Sequence, residues 1–338
     1  VEQARPARPA QVLALLLEAE SPRSGQEMAE RLGCSRATVG KLVDGLRAAG
    51  FDIETRPTTS YSLLSEPAGL LPARVEARLT SGSLGLPFIH LVEIDSTNLE
   101  ARRRAEAGLG HGACLSVDYQ SAGRGRMDRC WQAPRASCLL FSLLLRPAPA
   151  FSEVFSLTSL VGVAVCRAVE DMSELRPMIK WPNDVYLDGR KLAGILTEFT
   201  CRAERLDHVV VGVGLNVNLT AAQLAKLPAP AASLRTASGR TWDRALLLAA
   251  ILDRADAFYR ALLDGDGEGL TAAYNSRSWL QGRRVQVRDG QTVREGVARG
   301  VAVDGALLLH ENGCTVAISH GDVSVLGVDW LRTSQGSM

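Results

Sequence analysis

The chain opens with three short stretches of helical periodicity. Val12, Leu13, Leu15, Leu16 and Leu17 give residues 11–18 a wide apolar face. Residues 25–32 follow Ser24, with Glu27 three residues on in capping-box spacing, and end at Gly33. A third stretch, opened by Ser35 and stopped by Gly50, places Val39, Leu42, Val43 and Leu46 on one side. Helix, glycine turn, helix is the pattern of a helix-turn-helix. Two short runs at residues 51–55 and 60–64, on either side of Arg56-Pro57, predict the strands of a wing. A link containing Pro and Gly covers residues 66–72.

Beyond it the period changes. Apolar runs of strand length occur at residues 89–94, 113–119, 139–145, 179–181, 185–187, 191–200 and 208–217, and helical periodicity at 98–107, 154–170 and 244–263. Strands and helices interleaved over about 200 residues predict one α/β layer structure. From Arg283 on, short runs at 285–288, 292–303, 306–310 and 314–318 are separated by Asp289-Gly290, Asp304-Gly305 and Asn312-Gly313, which are hairpin turn dipeptides. A small antiparallel barrel fits. The predicted domains are residues 1–65, 66–278 and 279–330.

Composition narrows the function classes. Of 338 residues, 46% are hydrophobic and 22% charged, the balance of a chain with a developed core. The 38 basic and 37 acidic side chains exclude a protein that coats nucleic acid by bulk charge, though not a local basic patch. Seven cysteines without a CxxC pair and five scattered histidines argue against a disulfide framework or a transition-metal centre. The longest apolar stretches fall well short of the roughly 18 residues that span a bilayer. The first residues lack the basic-then-apolar order of a signal peptide, so the expected location is the cytoplasm and no membrane partner is expected.

Four segments carry candidate chemistry. Between Ala122 and Arg135 stand Arg124, Arg126, Arg129 and Arg135 against one acid, Asp128, interleaved with Gly123 and Gly125. Glycines let backbone approach a ligand and guanidinium groups grip carboxylate and phosphate, so this is a candidate anion-binding loop; a solvated basic turn is the plainer alternative. It lacks the third glycine of a dinucleotide fingerprint, and no GxxxxGK[ST] loop occurs. In Lys180-Trp181-Pro182-Asn183-Asp184, followed by the Asp188-Gly189 turn and Lys191, two lysines, an amide and a carboxylate should converge, a set suited to Mg²⁺ and the phosphates it accompanies. The plainer alternative is a hairpin decorated with exposed charge. Gly212 and Gly214 interrupt the apolar run 209–217, which calls for something packed on bare backbone, a ligand or a neighbouring helix. In Asp95-Ser96-Thr97-Asn98 a strand meets a helix, and Ser96 or Thr97 could simply cap it.

In this order, with Gln120 before the arginine loop, Trp131 after it, Arg190-Lys191-Leu192-Ala193-Gly194 and Gly212 to Asn216, the segments resemble biotin protein ligases across most of residues 89–326. The helix-turn-helix in front is similar to the subclass that also represses the biotin operon. The resemblance implies a class II synthetase-like catalytic domain, a winged helix-turn-helix before it and an SH3-like barrel after it. It implies that biotin and ATP, with Mg²⁺, give biotinyl-5′-AMP and pyrophosphate, and that a lysine of the biotin carboxyl carrier protein then takes the biotinyl group and releases AMP.

Carried onto this chain, the resemblance assigns Ser96, Thr97, Asn98, Gln120, Gly123, Arg124, Gly125, Arg126, Lys191, Gly212 and Gly214 to biotin. Arg126, Arg129, Trp131, Lys180, Asn183 and Asn216 go to ATP. Arg126 and Lys191 would neutralise the carboxylate and α-phosphate, Asp184 would orient the carrier lysine, Arg124 and Arg129 would anchor the loop, and Gly212 and Gly214 would back the ligand. Ser35, Arg36, Thr38 and Lys41 would face operator DNA with Arg47 near phosphate, in a homodimer. Residues 23–56 hold six basic against five acidic side chains, which weakens the electrostatic contribution to DNA affinity. A ligase whose N-terminal module no longer binds DNA, a lipoate-type ligase and a pure ligand-sensing transcription factor remain as alternatives. Two departures stand out: Met127-Asp128 where many relatives have a glycine step, and Leu326 where repressor-type relatives often have arginine.

Overall fold

The computed structural model describes residues 5–57, 59–80, 82–146, 154–202 and 205–326. The tail of the predicted third domain, beyond residue 326, lies outside them.

The N-terminal unit is α1 (Arg8–Leu17), β1 (Arg23–Ser24), α2 (Gly25–Leu32), α3 (Arg36–Ala48), β2 (Asp52–Arg56) and β3 (Ser60–Ser65), with sheet order β1-β3-β2. Its own core joins Val12, Leu13 and Leu16 of α1 to Met28, Val39, Val43 and Leu46. Gly33 ends α2 with φ of 60°, the left-handed conformation a helix-terminating glycine supplies at little cost. Ser24 does cap α2, but it accepts from Gln26 N and the capping box does not form. The strand β1 and the following α4 (Pro72–Glu76) have too few residues to show a period, and periodicity did not predict them.

The central unit is a seven-stranded sheet of order β4-β5-β6-β10-β9-β8-β7, comprising β4 (Phe88–Ile94), β5 (Cys114–Gln120), β6 (Cys138–Leu145), β7 (Met178–Lys180), β8 (Asp184–Leu187), β9 (Arg190–Arg202) and β10 (Arg205–Asn216). Only β4 and β5 pair in parallel, joined through α5 (Thr97–Glu106); the other pairs are antiparallel. β6 is buried along its whole length, which is why residues 138–145 read as an apolar run broken only by Ser142 and not as an alternating one. One face of the sheet packs on α6 (Val154–Met172) and α9 (Arg244–Leu263). The other carries α5 over Leu115, Leu144 and Val210. Short helices α7 (Ala221–Leu224) and α8 (Leu234–Ser238) follow β10, and α10 (Gly267–Asn275) follows α9.

The C-terminal unit has β11 (Arg284–Asp289), β12 (Thr292–Val301), β13 (Leu307–Glu311), β14 (Cys314–Ile318) and β15 (Asp322–Val325), all antiparallel in the order β14-β13-β12-β11-β15. Asn312 and Gly313, both at positive φ, make the tight β13–β14 turn that the dipeptide predicts. The units are tied together. Arg74 on α4 is 5% exposed and pairs with Glu66 at 2.9 Å and with Asp243, the N-cap of α9. The buried Glu76 carboxylate accepts from Ala7 N at 2.7 Å and Phe88 N at 3.3 Å. No helix of the described residues is long and apolar enough to cross a membrane.

Candidate functional site

Side chains alternate along β10, so Val211 and Val213 face the α6 side while Val210, Gly212, Gly214 and Asn216 face α5. On that second face the two glycines leave a hollow. It opens into a cavity of about 700 Å³ bounded by the start of α5, the loop 124–132, the Lys180–Asp184 turn, residues 227–231 and the start of β15. The volume lies within the usual range for a cofactor site, roughly 300–1,000 Å³.

Asn98 fills part of the hollow. Its Nδ2 donates to Leu196 O at 3.1 Å and Glu198 Oε2 at 2.8 Å, and its Oδ1 accepts from Ser142 Oγ at 2.6 Å. A Cβ on Gly212 would lie 2.0 Å from Asn98 Oδ1, and one on Gly214 would lie 2.4 Å from the Trp131 indole. Both glycines line the cavity, and Asn98 and Trp131 lie against their bare faces. Trp131 also lies against Gly194, with Lys191 Nζ 5.7 Å from its ring centre.

Ser96 stands at the N-cap position of α5 yet makes no side-chain cap. Gln120 takes that part, its Oε1 accepting from Thr97 N at 2.7 Å and Thr97 Oγ1 at 3.1 Å. The Ser96 hydroxyl is thereby left at the cavity wall as a neutral donor and acceptor.

The arginine loop is held at two points. Arg124 pairs with Glu198 at 2.9 Å, and Arg129 pairs with Asp322 at the start of β15. The same Glu198 carboxylate therefore orients Asn98 and anchors the loop. Asp128, the nearest acid in sequence, is not the partner of Arg129. Met127 and Asp128 both hold φ near 55°, a left-handed conformation that costs a non-glycine residue on the order of 1 kcal/mol. Gly123 lies against the backbone of Trp131, where a Cβ would meet the carbonyl oxygen at 2.4 Å, and Gly125 N donates to Arg129 O at 2.7 Å. Arg126 points into the cavity and donates to Asn183 Oδ1 at 3.3 Å.

Across from the loop, Lys191 Nζ lies 2.7 Å from Asp184 Oδ1. A bulge between β8 and β9 sets Val185 opposite Ala193 but Tyr186 opposite Lys191, re-aiming the lysine. The Asn183 amide donates to Ile195 O at 2.8 Å, which fixes its oxygen toward Arg126. Lys180 rests on the rings of Tyr186 and Trp279, 5.1 and 6.0 Å from their centres, and desolvation lowers its pKa. Asn216 is buried at the cavity wall and accepts from Cys138 Sγ at 3.6 Å. Five cations thus line the cavity against two carboxylates, Asp184 and Asp322. Periodicity and motif reading missed Glu198, Asp322, Tyr186 and Trp279. Of these only Glu198 left a signal, as a lone acid in the apolar strand β9.

Mg²⁺ takes oxygen ligands, usually one or two carboxylates together with substrate phosphates. Asp184 is such a donor, and no group of three or more metal-ligating side chains occurs among the described residues. The donor set fits an ion that arrives with a triphosphate.

In the N-terminal unit Arg36, Thr38 and Lys41 are exposed along α3, while the Ser35 hydroxyl caps it by accepting from Thr38 N at 3.1 Å. Arg36 bonds Thr59. Arg47, predicted near phosphate, donates to Ile53 O at 2.8 and 3.0 Å and Thr55 Oγ1 at 2.6 Å, fastening α3 to the wing, and pairs with Asp44 at 3.1 Å.

A cavity rich in cations on an α/β sheet, following a winged helix-turn-helix, marks an anion-binding domain joined to a helix-turn-helix module. Residues 93–216 match the Biotin/lipoate A/B protein ligase family, residues 8–61 an HTH domain and residues 281–326 the Biotin protein ligase C terminal domain. The bifunctional ligase/repressor BirA of Escherichia coli (strain K12) is 33% identical over 323 residues, 94% of this chain and 97% of that protein. BirA of Bacillus subtilis (strain 168) is 31% identical over 303 residues, covering 89% and 93%. Among solved structures, the biotin protein ligase from Aquifex aeolicus in complex with biotin and ATP superposes with a TM-score of 0.61 at 29% identity, covering 70% of this chain and 97% of that one. The chain belongs to the biotin protein ligase family, in its bifunctional form with an N-terminal helix-turn-helix.

Proposed function

We infer that the protein is an ATP-dependent biotin ligase that forms biotinyl-5′-AMP, transfers the biotinyl group to a lysine of a biotin carboxyl carrier protein, and acts as a biotin-responsive repressor. The observation that carries the reading is the cavity itself. Neutral groups suited to a ureido ring (Ser96, Thr97, Gln120) lie in one pocket with Arg126 and Lys191, the cations that two reacting anions require. Arg126 and Lys191 offset the repulsion between carboxylate and α-phosphate. Asp184 would hold the Mg²⁺ that arrives with ATP, and that ion would supply further charge neutralisation. The loop 124–132, anchored at Glu198 and Asp322, shields the mixed anhydride from water. Asp184, paired with Lys191 before substrate enters, orients the carrier lysine.

AMP formation from biotin and ATP that depends on a carrier domain tests the enzyme; its absence refutes the reading, and activity with lipoate in place of biotin favours the lipoate-type alternative. Repression runs through α3 with Lys41 and Arg36, in a homodimer located in the cytoplasm. A low-salt gel shift on the chain's own promoter region, with and without biotin and ATP, together with sedimentation, tests that half; no shift in either state means a ligase without repressor activity.

A further inference from the structure

Four of the five cavity cations already have polar partners suited to hold them. Arg124 is held by Glu198, Arg129 by Asp322, Lys191 by Asp184, and Arg126 by Asn183 with Asp322 at 4.0 Å. Lys180 differs. Its hydrogen-bond partner is the Tyr186 hydroxyl at 3.3 Å, its charge rests on the Tyr186 and Trp279 rings, and no carboxylate lies within ion-pair distance among the described residues. Aromatic faces hold a cation without neutralising it. The platform is also fixed: Trp279 N donates to Ile179 O at 2.8 Å, and the two rings pack with centres 4.9 Å apart.

In the adenylation step a biotin carboxylate oxygen bonds to the α-phosphorus, the bond from that phosphorus to the bridging oxygen breaks, and pyrophosphate departs with the electron pair. No proton or redox equivalent is needed. Negative charge grows on the leaving group, and a cation bound to a carboxylate would have to give up its partner to meet it. We propose that Lys180 binds and stabilises the departing pyrophosphate, a role confined to the first half-reaction. The proposal rests on the ligase reading above and adds a division of labour: Arg126 and Lys191 serve the reacting centre, Lys180 the leaving group.

The test uses the full chain and compares biotin-dependent ATP–pyrophosphate exchange with single-turnover transfer from supplied biotinyl-AMP to a carrier domain. Lys180→Met and Lys180→Gln should lower exchange about tenfold or more and raise the KM for pyrophosphate, while transfer stays within about twofold of wild type. Lys180→Arg should restore most of the exchange. Exchange unchanged in both neutral variants, or transfer falling in parallel with exchange in both, overturns the proposal. A wild-type chain without biotin-dependent exchange overturns the ligase reading instead, so the two failures are distinct.

Discussion

Asn98 Oδ1 stands where a side chain at Gly212 would begin, only 2.0 Å from the position of a Cβ. The glycine is therefore needed by a protein side chain that crosses three strands, bonding Ser142 on β6 and Leu196 and Glu198 on β9. Gly212→Ala should push Asn98 out of this socket. Overpacking of this kind costs about 1–3 kcal/mol, and biotin affinity should fall with stability. Denaturant unfolding together with calorimetric biotin titration checks it; a variant with wild-type biotin affinity would show that the placement of Asn98 is irrelevant to the ligand.

Glu198 reaches no ligand in this reading, yet it holds Asn98 with one oxygen and Arg124 with the other. Glu198→Gln keeps the shape and removes the charge. Losing a charge-assisted contact of about 1–2 kcal/mol predicts biotin binding weaker by about tenfold and faster release of the adenylate, because the loop loses one of its two anchors. Stopped-flow release of biotinyl-AMP is the sharper measurement, and an unchanged rate would remove Glu198 from loop control.

The elements were largely legible because their periods are long and clean: the apolar run of β6, the helical face of α9 and the glycine turn between α2 and α3 each follow from residue spacing alone. Elements too short to show a period, β1, α4, α7 and α8, did not. In the site, the arginines, lysines and glycines announced themselves by local sequence. Their partners did not, because Glu198 is 74 residues from Arg124, and Asp322 is 193 from Arg129, and only the sheet topology brings them together. Gly212 and Gly214 show the limit of reading one strand: the gap was predictable, its occupant was not.

Arg126 has no carboxylate closer than 4.0 Å and extends from the loop into the cavity. Arg126→Gly should leave a folded enzyme that forms biotinyl-AMP but loses hold of it, labelling protein lysines without selection. Filter binding reads the retention directly. A variant that keeps the adenylate as tightly as wild type contradicts the role given to Arg126.

Lys191 should behave in the opposite sense. Its removal takes away charge needed while the two anions approach, so Lys191→Ala should suppress adenylate formation by about a hundredfold, the scale on which single preorganised donors act. Pyrophosphate release is the readout, and a wild-type rate would exclude Lys191 from the chemistry.

Acid sensitivity should come from a network behind the site. Asp118 on β5 receives the His90 ring, at 3.5 Å, and the buried Arg244 guanidinium at 3.0 Å, and hydrogen bonding to His90, followed by the charge of Arg244, holds its carboxyl below the ordinary range against the cost of burial. A carboxyl with a lowered folded pKa contributes stability that is present above its unfolded value, about 3.9, and is lost as pH falls through the folded value. Asp118→Asn should therefore be less stable than wild type by about 1–3 kcal/mol near neutral pH, since Arg244 loses a charged partner. The gap should close as the wild-type carboxylate protonates below about pH 4. Urea unfolding of both proteins at about pH 7 and about pH 3 measures it, and a gap that does not change with pH would mean that Asp118 acts through its shape and not its charge.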